Sequence, residues 1–255
     1  MRKILIICFF SMFITSIYAD KHNFLDEKVV LFPVRKAELA SLLNSTIKIF
    51  KFKVGEKFKK GDELVLLDDR LYKQRYIKAR AEILRKQETF KYADKVYKYN
   101  ITLFEKKAVG EQEVEESRLR MINALSEREQ AKANFDIADI NLSSCKIIAP
   151  FSGRIIRKIE NEYDYVREGQ AILEVAEDNK LLAVMHLPSN KMINISPGMQ
   201  LKFKIDETCS EVSAEVYTVS GAVNPGSRTF ELRALINNEN EKLRVGMSGL
   251  LISKI

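Results

Sequence analysis

The order of apolar and polar positions divides the chain into a repeated β unit, a long helical insert and a β-rich end. From Ile47 to Asp69 the pattern runs strand, polar turn, short strand (IKIFKFKVGEKFKKGDELVLLDD), and from Ile155 to Asp178 it does so again (IIRKIENEYDYVREGQAILEVAED). A shift of 108 residues (47 to 155) sets Ile47 on Ile155, Phe58 on Val166, Gly61 on Gly169, Leu64 on Ile172, Val65 on Leu173 and Leu67 on Val175. Each glycine suits a turn that needs φ > 0. A half of about 25 residues cannot bury its own apolar face, whereas two copies packed together can. The spacing therefore predicts one small β-sandwich built from distant halves. Ile47 and Ile49 share one phase of the alternation, while Phe50, Phe52 and Val54 share the other. That slip is what a β-bulge produces. Lysines 48, 51, 53, 57, 59 and 60 then read as a solvated face that also protects an edge.

Between the halves, 70–144 contains no proline and one glycine and is rich in Ala, Glu, Lys, Gln and Leu, all good helix formers. Tyr76, Ile83, Phe90, Tyr97 and Phe104 recur every seven residues, with Ala79, Ala93, Ile101 and Ala108 beside them. Val114, Met121, Ala124, Ala131, Phe135, Ala138 and Leu142 continue the seam, and Arg128 interrupts it. A sustained seven-residue period predicts a left-handed coiled coil. The break is KKAVGEQE, centred on Gly110. The insert reads as an antiparallel helical hairpin with its tip at 105–112 and arms of about 50–58 Å. Its apolar stripe is narrow, which suits a rod in solvent.

From 179 onward LLAVMHL, QLKFKI, EVSAEVYTV, RTFELRALI and GLLISKI alternate or run apolar, separated by turn signals such as SPG and NPGS. Five or six short strands so spaced predict a small barrel, and 28–38 supplies one more strand. The domain division is 1–19, 40–69 with 146–178 (sandwich), 70–145 (hairpin), and 28–39 with 179–255 (barrel).

The start of the chain is an address. Arg2 and Lys3 precede an apolar run from Ile4 to about Tyr18, and Ala19 is a small residue suited to the position before a cleavage. About 20 apolar residues are needed to cross hydrocarbon, so this shorter run fits a secretory signal peptide cleaved near Ala19; a short retained anchor is the alternative. Cys8 follows Ile7 and lies too near Met1 for a lipoprotein site.

Composition narrows the chemistry. The chain holds 42 Lys and Arg against 35 Asp and Glu, for a net charge of +7. The signs alternate along most of the chain instead of gathering on one face, which argues against a nucleic-acid partner. Two histidines and three cysteines leave no basis for a rich metal site or a disulfide framework. Cys145 and Cys209 read as buried thiols, with a single bridge as the other option. No phosphate-binding loop and no nucleophile with a plausible base is found, so the reading is non-enzymatic, with no cofactor.

Three motifs carry a family resemblance: VGEKFKKGDELVLLDD (54–69), APFSGRI (149–155) and NPGSRTFELRALINNENEKLRVGM (224–247). In this order around a hairpin they resemble the periplasmic adaptor subunits, or membrane fusion proteins, of Gram-negative efflux pumps (RND-type, HlyD-like). The resemblance covers 29–255. It implies a mixed α and β, multidomain fold: a lipoyl-like β-sandwich split by a long antiparallel coiled-coil hairpin, then a small antiparallel β-barrel. It also implies a ring of copies in the periplasm at the inner membrane. Their hairpin tips would meet an outer-membrane channel, and sandwich and barrel would stack on an inner-membrane pump, RND-type in preference to ABC-type. Tip contacts would come from Leu103, Phe104, Val109, Gly110 and Gln112. Arg228, Thr229, Phe230, Arg244 and Gly246 lie in the barrel signature, the two arginines as ion pairs or as pump contacts. Many relatives carry an Arg, a Leu and a Ser at the tip; Tyr99, Leu103 and Gly110 stand at about those places, and only the leucine is kept. The membrane-proximal fourth domain of larger relatives is expected to be missing, which would place pump contact on the barrel.

Two other readings are open. A lipoyl or biotinyl carrier needs a modified lysine on a compact turn between the halves, where this chain has its insert. A periplasmic metal-binding efflux accessory needs clustered ligands. Met185 and His186 are adjacent, with Met192 and Met199 further on, but neighbours on a strand point to opposite faces.

Overall fold

A computed structural model describes residues 27–254; the apolar start and the cleavage expected near Ala19 lie outside the described residues. In chain order the elements are β1 (Lys28–Pro33), β2 (Lys36–Ala40), β3 (Ser45–Phe50), β4 (Lys57–Phe58), β5 (Glu63–Leu67), α1 (Arg70–Glu105), α2 (Glu111–Ser143), β6 (Lys146–Ile148), β7 (Gly153–Lys158), β8 (Tyr165–Val166), β9 (Ala171–Ala176), β10 (Lys180–Pro188), β11 (Gln200–Ile205), β12 (Ser210–Val219), β13 (Thr229–Asn237) and β14 (Ser248–Lys254). One compact unit holds 31–183 and 235–247; the other described residues form the second.

The sandwich has two four-stranded sheets, ordered β2-β9-β7-β4 and β6-β5-β3-β8. Each half lends its short strand to the other. Strand β4 pairs with β7, setting Phe58 opposite Gly153, and β8 pairs with β3, setting Val166 opposite Ser45. The loops repeat the exchange. The Gly55 N–H donates to Ile155 O at 2.9 Å and the Tyr163 N–H to Ile47 O at 2.8 Å; the Gly61 N–H donates to Ala149 O at 2.9 Å and the Gly169 N–H to Ser41 O at 2.8 Å. In each pair the second donor is the first advanced by 108 positions and the second acceptor is the first set back by 108, so the halves meet isologously, as two subunits do about a two-fold axis. Gly61 and Gly169 have φ of 92° and 81°, the left-handed region that glycine enters without a steric penalty.

The bulge read at Phe50 is present, with the β3 register shifting between Ile47 and Ile49, and β7 shifts at the equivalent place, between Ile155 and Arg157. Ile47, Phe58, Leu64, Val65 and Leu67 of one half and Ile155, Val166, Ile172, Leu173 and Val175 of the other form one buried core. At Gly153 a Cβ would lie 2.2 Å from Ala176 O, which holds that position to glycine. The expectation that 28–39 goes to the barrel is corrected at its end. Strand β2 pairs antiparallel with β9 in the sandwich; it stands in the repeat where β6 stands, since 40 advanced by 108 is 148.

The hairpin has a 36-residue and a 33-residue helix, about 54 and 50 Å at 1.5 Å per residue. Its seam is more regular than its apolar residues suggest. In α2 the buried positions are Ser117, Ala124, Ala131 and Ala138, seven apart; in α1 they are Tyr72 and Asn100, four sevens apart. Lys86 also occupies that α1 series, and it bridges to Glu127 of the other helix at 2.5 Å. Arg128 stands in the neighbouring α2 series 114, 121, 128, 135 and 142 and does not interrupt it, because its guanidinium lies 4.4 Å above the Phe90 ring. Tyr76 and Phe135 stack across the pair at 5.3 Å. Alanine at every buried α2 step beyond Ser117 lets the backbones approach closely. The Tyr72 hydroxyl anchors the base, donating to Asn44 O at 3.0 Å. Among the described residues no helix is long and apolar enough to cross a membrane.

The remaining strands close a barrel in the order β1-β10-β13-β12-β11-β14. Its alternating inward residues include Phe203, Val216, Phe230 and Leu232, all buried.

Two predictions follow from the sandwich and the seam. Ala131→Leu overfills a buried seam position and should cost about 1–3 kcal/mol, read from a denaturant midpoint; an unchanged midpoint contradicts the seam. Glu63 accepts from Lys146 at 2.6 Å and also from Lys51, and these hydrogen bonds, Lys146 first, hold its carboxyl down at about 2. A lowered carboxylate contributes stability above its unfolded value that is lost as pH falls through the folded one. Between pH about 4.5 and 2, wild-type stability should fall more steeply than that of Glu63→Gln; parallel profiles contradict the linkage.

Candidate functional site

The tip is a short reverse turn. Helix α1 ends in a Schellman motif: the Lys107 N–H donates to Phe104 O at 2.8 Å and the Ala108 N–H to Leu103 O at 2.9 Å. The left-handed residue this motif requires is Lys107, with φ of 57°. Gly110, expected at the centre of the break, is instead the N-cap of α2, with φ of −84° and ψ of 165°. That is extended backbone open to any residue, and nothing lies within 4 Å of where its Cβ would stand. Glu111 and Glu113 occupy the first turn of α2, where negative charge is favoured.

The five tip residues are gathered around this turn. Phe104 is 45% exposed. Leu103 and Val109 are half-buried, and Gln112 is exposed, donating to Glu116 Oε1 at 3.1 Å. The turn thus presents an apolar patch bounded by Lys106, Lys107, Glu111 and Gln112. Tyr99 is 62% exposed on the last turns of α1.

The barrel signature serves two ends of β13. Before it, Asn224 Oδ1 accepts from the Gly226 N–H at 2.9 Å, and the Asn224 backbone N–H donates to Thr229 O at 2.8 Å. Arg228 is exposed, has φ of 53°, and forms no ion pair among the described residues. Its backbone is held on both sides, the N–H to Asn224 O and the carbonyl from Ser189 N–H. Thr229 is half-buried and Phe230 is in the core. After β13, Arg244 forms no ion pair among the described residues and donates to the carbonyls of Glu241, at 2.8 Å, and Leu243, at 3.3 Å. It folds its own loop. Gly246, with φ of 89°, donates to Leu31 O at 2.8 Å.

A polar cluster that the sequence reading missed fixes this second loop. Asn238 is buried, donating to Asp178 O at 2.8 Å and Leu243 O at 3.0 Å and accepting from the Leu243 N–H. Arg154 donates to Asp178 Oδ2 at 2.9 Å, and Lys57 pairs with Glu241. Asp178 Oδ1 is buried without a hydrogen-bond partner. An asparagine and an aspartate in loops carry no periodic signal, so pattern alone could not select them.

The other expected sites are placed as follows. Met185 is buried and His186 exposed, on opposite faces of β10. Among the described residues no three His, Cys, Asp or Glu are grouped to hold a metal. Cys145 and Cys209 are both free. Cys145 is buried, and that burial first, then the charges of Asp69 and Asp68, pushes its thiol up to about 11. Cys209 is exposed, which corrects its reading as buried. The segment joining β5 to β6 is the helical pair, with no two-residue turn on which a carrier lysine would sit.

Comparison with known proteins adds independent likenesses. Residues 183–252 match the family model of the CusB-like beta-barrel domain. The solvent efflux pump periplasmic linker SrpA of Pseudomonas putida is 26% identical over 229 residues, 84% of this chain and 56% of that protein. The multidrug resistance protein MexA of Pseudomonas aeruginosa is 26% identical over 230 residues, with the same coverage of 84% and 56%. The chain thus spans about half the length of these curated relatives. The crystal structure of a MacA-MexA chimera carrying the MexA α-hairpin superposes with a TM-score of 0.69 at 22% identity, covering 90% of this chain and 81% of that one; at this identity it bears on the fold alone. By its barrel segment and by its likeness to curated periplasmic linkers over most of its length, the chain is similar to the membrane fusion proteins of RND-type efflux systems.

Proposed function

We propose that this chain is a non-enzymatic periplasmic adaptor. It links an inner-membrane efflux transporter of the RND type to an outer-membrane channel and lines the export conduit as a ring of copies. One observation carries the reading: the two halves of the sandwich complete each other across 75 residues (70–144) that leave as a rigid, closely paired rod ending in an exposed apolar turn. The names of SrpA and MexA, an efflux pump linker and a resistance protein, support the same reading. In this mechanism the sandwich does no chemistry. It fixes the direction of the rod, the tip docks on the channel through Leu103, Phe104, Val109, Gly110 and Gln112, and the barrel meets the pump, with Arg228 as the exposed cation offered to it. The energy for transport comes from the pump.

Photo-reactive residues placed at Val109 or Gln112 in the full chain should, in cells, give adducts with an outer-membrane channel identified by mass spectrometry. The same residue at Glu38 of β2 should give none. Equal adducts at both places, or none at the tip, overturn the docking assignment. Phe104→Asp should lower export at least about tenfold while moving stability by no more than about 0.5 kcal/mol, as exposed substitutions do. Arg228→Glu should separate the same way, with pump co-purification lost and the melting curve kept; intact co-purification contradicts the pump contact.

A further inference from the structure

The two ends of the barrel differ in charge and in what they expose. Strands β10 and β12 run toward one end and β11 and β13 start from it, so segments 189–199 and 220–228 lie together there. Backbone bonds tie them down: the Ser189 N–H donates to Arg228 O at 2.9 Å and the Gly198 N–H to Val216 O at 2.8 Å. The chain has 35 acids, yet these two segments hold Lys191 and Arg228 and no acid at all. The turn at the other end, between β11 and β12, holds Asp206 and Glu207.

The acid-free end carries the most exposed large apolar side chain among the described residues. Ile193, in the 3-10 helix Ser189–Asn194, is 93% exposed, and Val223, in the other segment, is 39% exposed. A side chain that stands so far clear of its own molecule lines no groove for a peptide. It suits a medium that closes around a protrusion, as the acyl boundary of a bilayer does. The chain also enters the barrel at this end. Glu27 bridges to Lys191 at 3.5 Å, and its carbonyl accepts from the Leu251 N–H at 3.0 Å. In sequence, only 19–26 separate Glu27 from the apolar run that ends near Tyr18, a reach of no more than about 30 Å. The part of the sequence suited to a membrane thus leads into the end that exposes Ile193.

We propose that this end of the barrel rests on a phospholipid bilayer, with the Ile193 and Val223 side chains in the acyl boundary and the headgroups around the acid-free segments. The nearest acid, Glu27, is bridged to Lys191, so the contact brings no unpaired carboxylate to an anionic surface. The acidic turn at 206–209 faces away from it. The inference goes beyond the adaptor reading and rests on it only for the presence of a membrane. The contact is independent of what the hairpin tip meets, so the two can fail separately.

The chain has no tryptophan, so a single introduced one reports its own surroundings. Ile193→Trp and Val223→Trp, each in the full chain, are mixed with vesicles of phosphatidylethanolamine and phosphatidylglycerol at about 5 mM lipid, with or without brominated acyl chains. Emission from both should shift to the blue and be quenched at least about twofold by the brominated lipid. Lys204→Trp, exposed on β11 near the acidic turn, should show neither change. Ile193→Asp added to the Val223→Trp chain should abolish the quenching there. Bromine quenches only what lies in the acyl region, so the readout holds even where the apolar start ties the chain to the vesicle. Quenching absent at 193 or 223, equal quenching at 204, or quenching at 223 that survives Ile193→Asp overturns the proposal. The vesicles hold neither pump nor channel, so pump co-purification and tip cross-linking read the adaptor function whatever the outcome.

Discussion

The structure depends on the exchange of two-residue strands between halves of the chain that lie 108 positions apart. Each half holds one strand pair of its own, β3 with β5 and β7 with β9, and each four-stranded sheet is completed by a strand from the other half. Strand β4 has its ladder partner in β7, and β8 has its partner in β3. The loops beside them donate reciprocally, Gly55 to Ile155 and Tyr163 to Ile47. Backbone groups closed off from water need such partners, and here the partners come from the far side of the insert. Closing the sandwich pays the loop entropy of everything between, and the hairpin reduces that cost by being ordered in its own right.

That closure also brings the two ends of the insert together. The last strand before it, β5, and the first after it, β6, are antiparallel neighbours, so the chain leaves and returns at one place, and two helices from adjacent strands must run side by side. The seam then needs small residues where the backbones are closest, which Ala124, Ala131 and Ala138 provide. Longer side chains at the other series interlock across it, Tyr76 with Phe135 and Arg128 over Phe90. Length and direction of the rod are thus set from its base, and its tip is left to vary in chemistry.

The parts legible in the sequence were those written as repetition. The sandwich halves, their glycines at 61 and 169, the bulge near Phe50 and the heptads of the hairpin all recur at fixed intervals. What escaped lay in residues whose role is set by a distant partner. Strand β2 reads KAELA, a composition that suits a helix as well as a strand, and only its pairing with β9 decides. Lys86 and Asn100 occupy seam positions that a polar side chain disguises, and Arg128 breaks the apolar pattern while its guanidinium covers the Phe90 ring. Gly110 drew attention away from Lys107 because glycine is the usual left-handed residue, yet here it is the lysine that turns the chain. Tyr163, with φ of 72°, was hidden for the same reason. The sequence position of the tip was therefore legible, while the geometry of its turn was not.

Amide hydrogen exchange on a variant altered in one half tests the reciprocal closure most directly. Phe58→Ala removes a ring from β4, and the amides to follow are Gly55 and Gly61 in that half and Tyr163 and Gly169 in the other. Joint closure predicts that protection falls by the same factor at all four, as it does within one cooperative unit. Protection lost at 55 and 61 but kept at 163 and 169 would show two halves that fold apart, and would contradict the account.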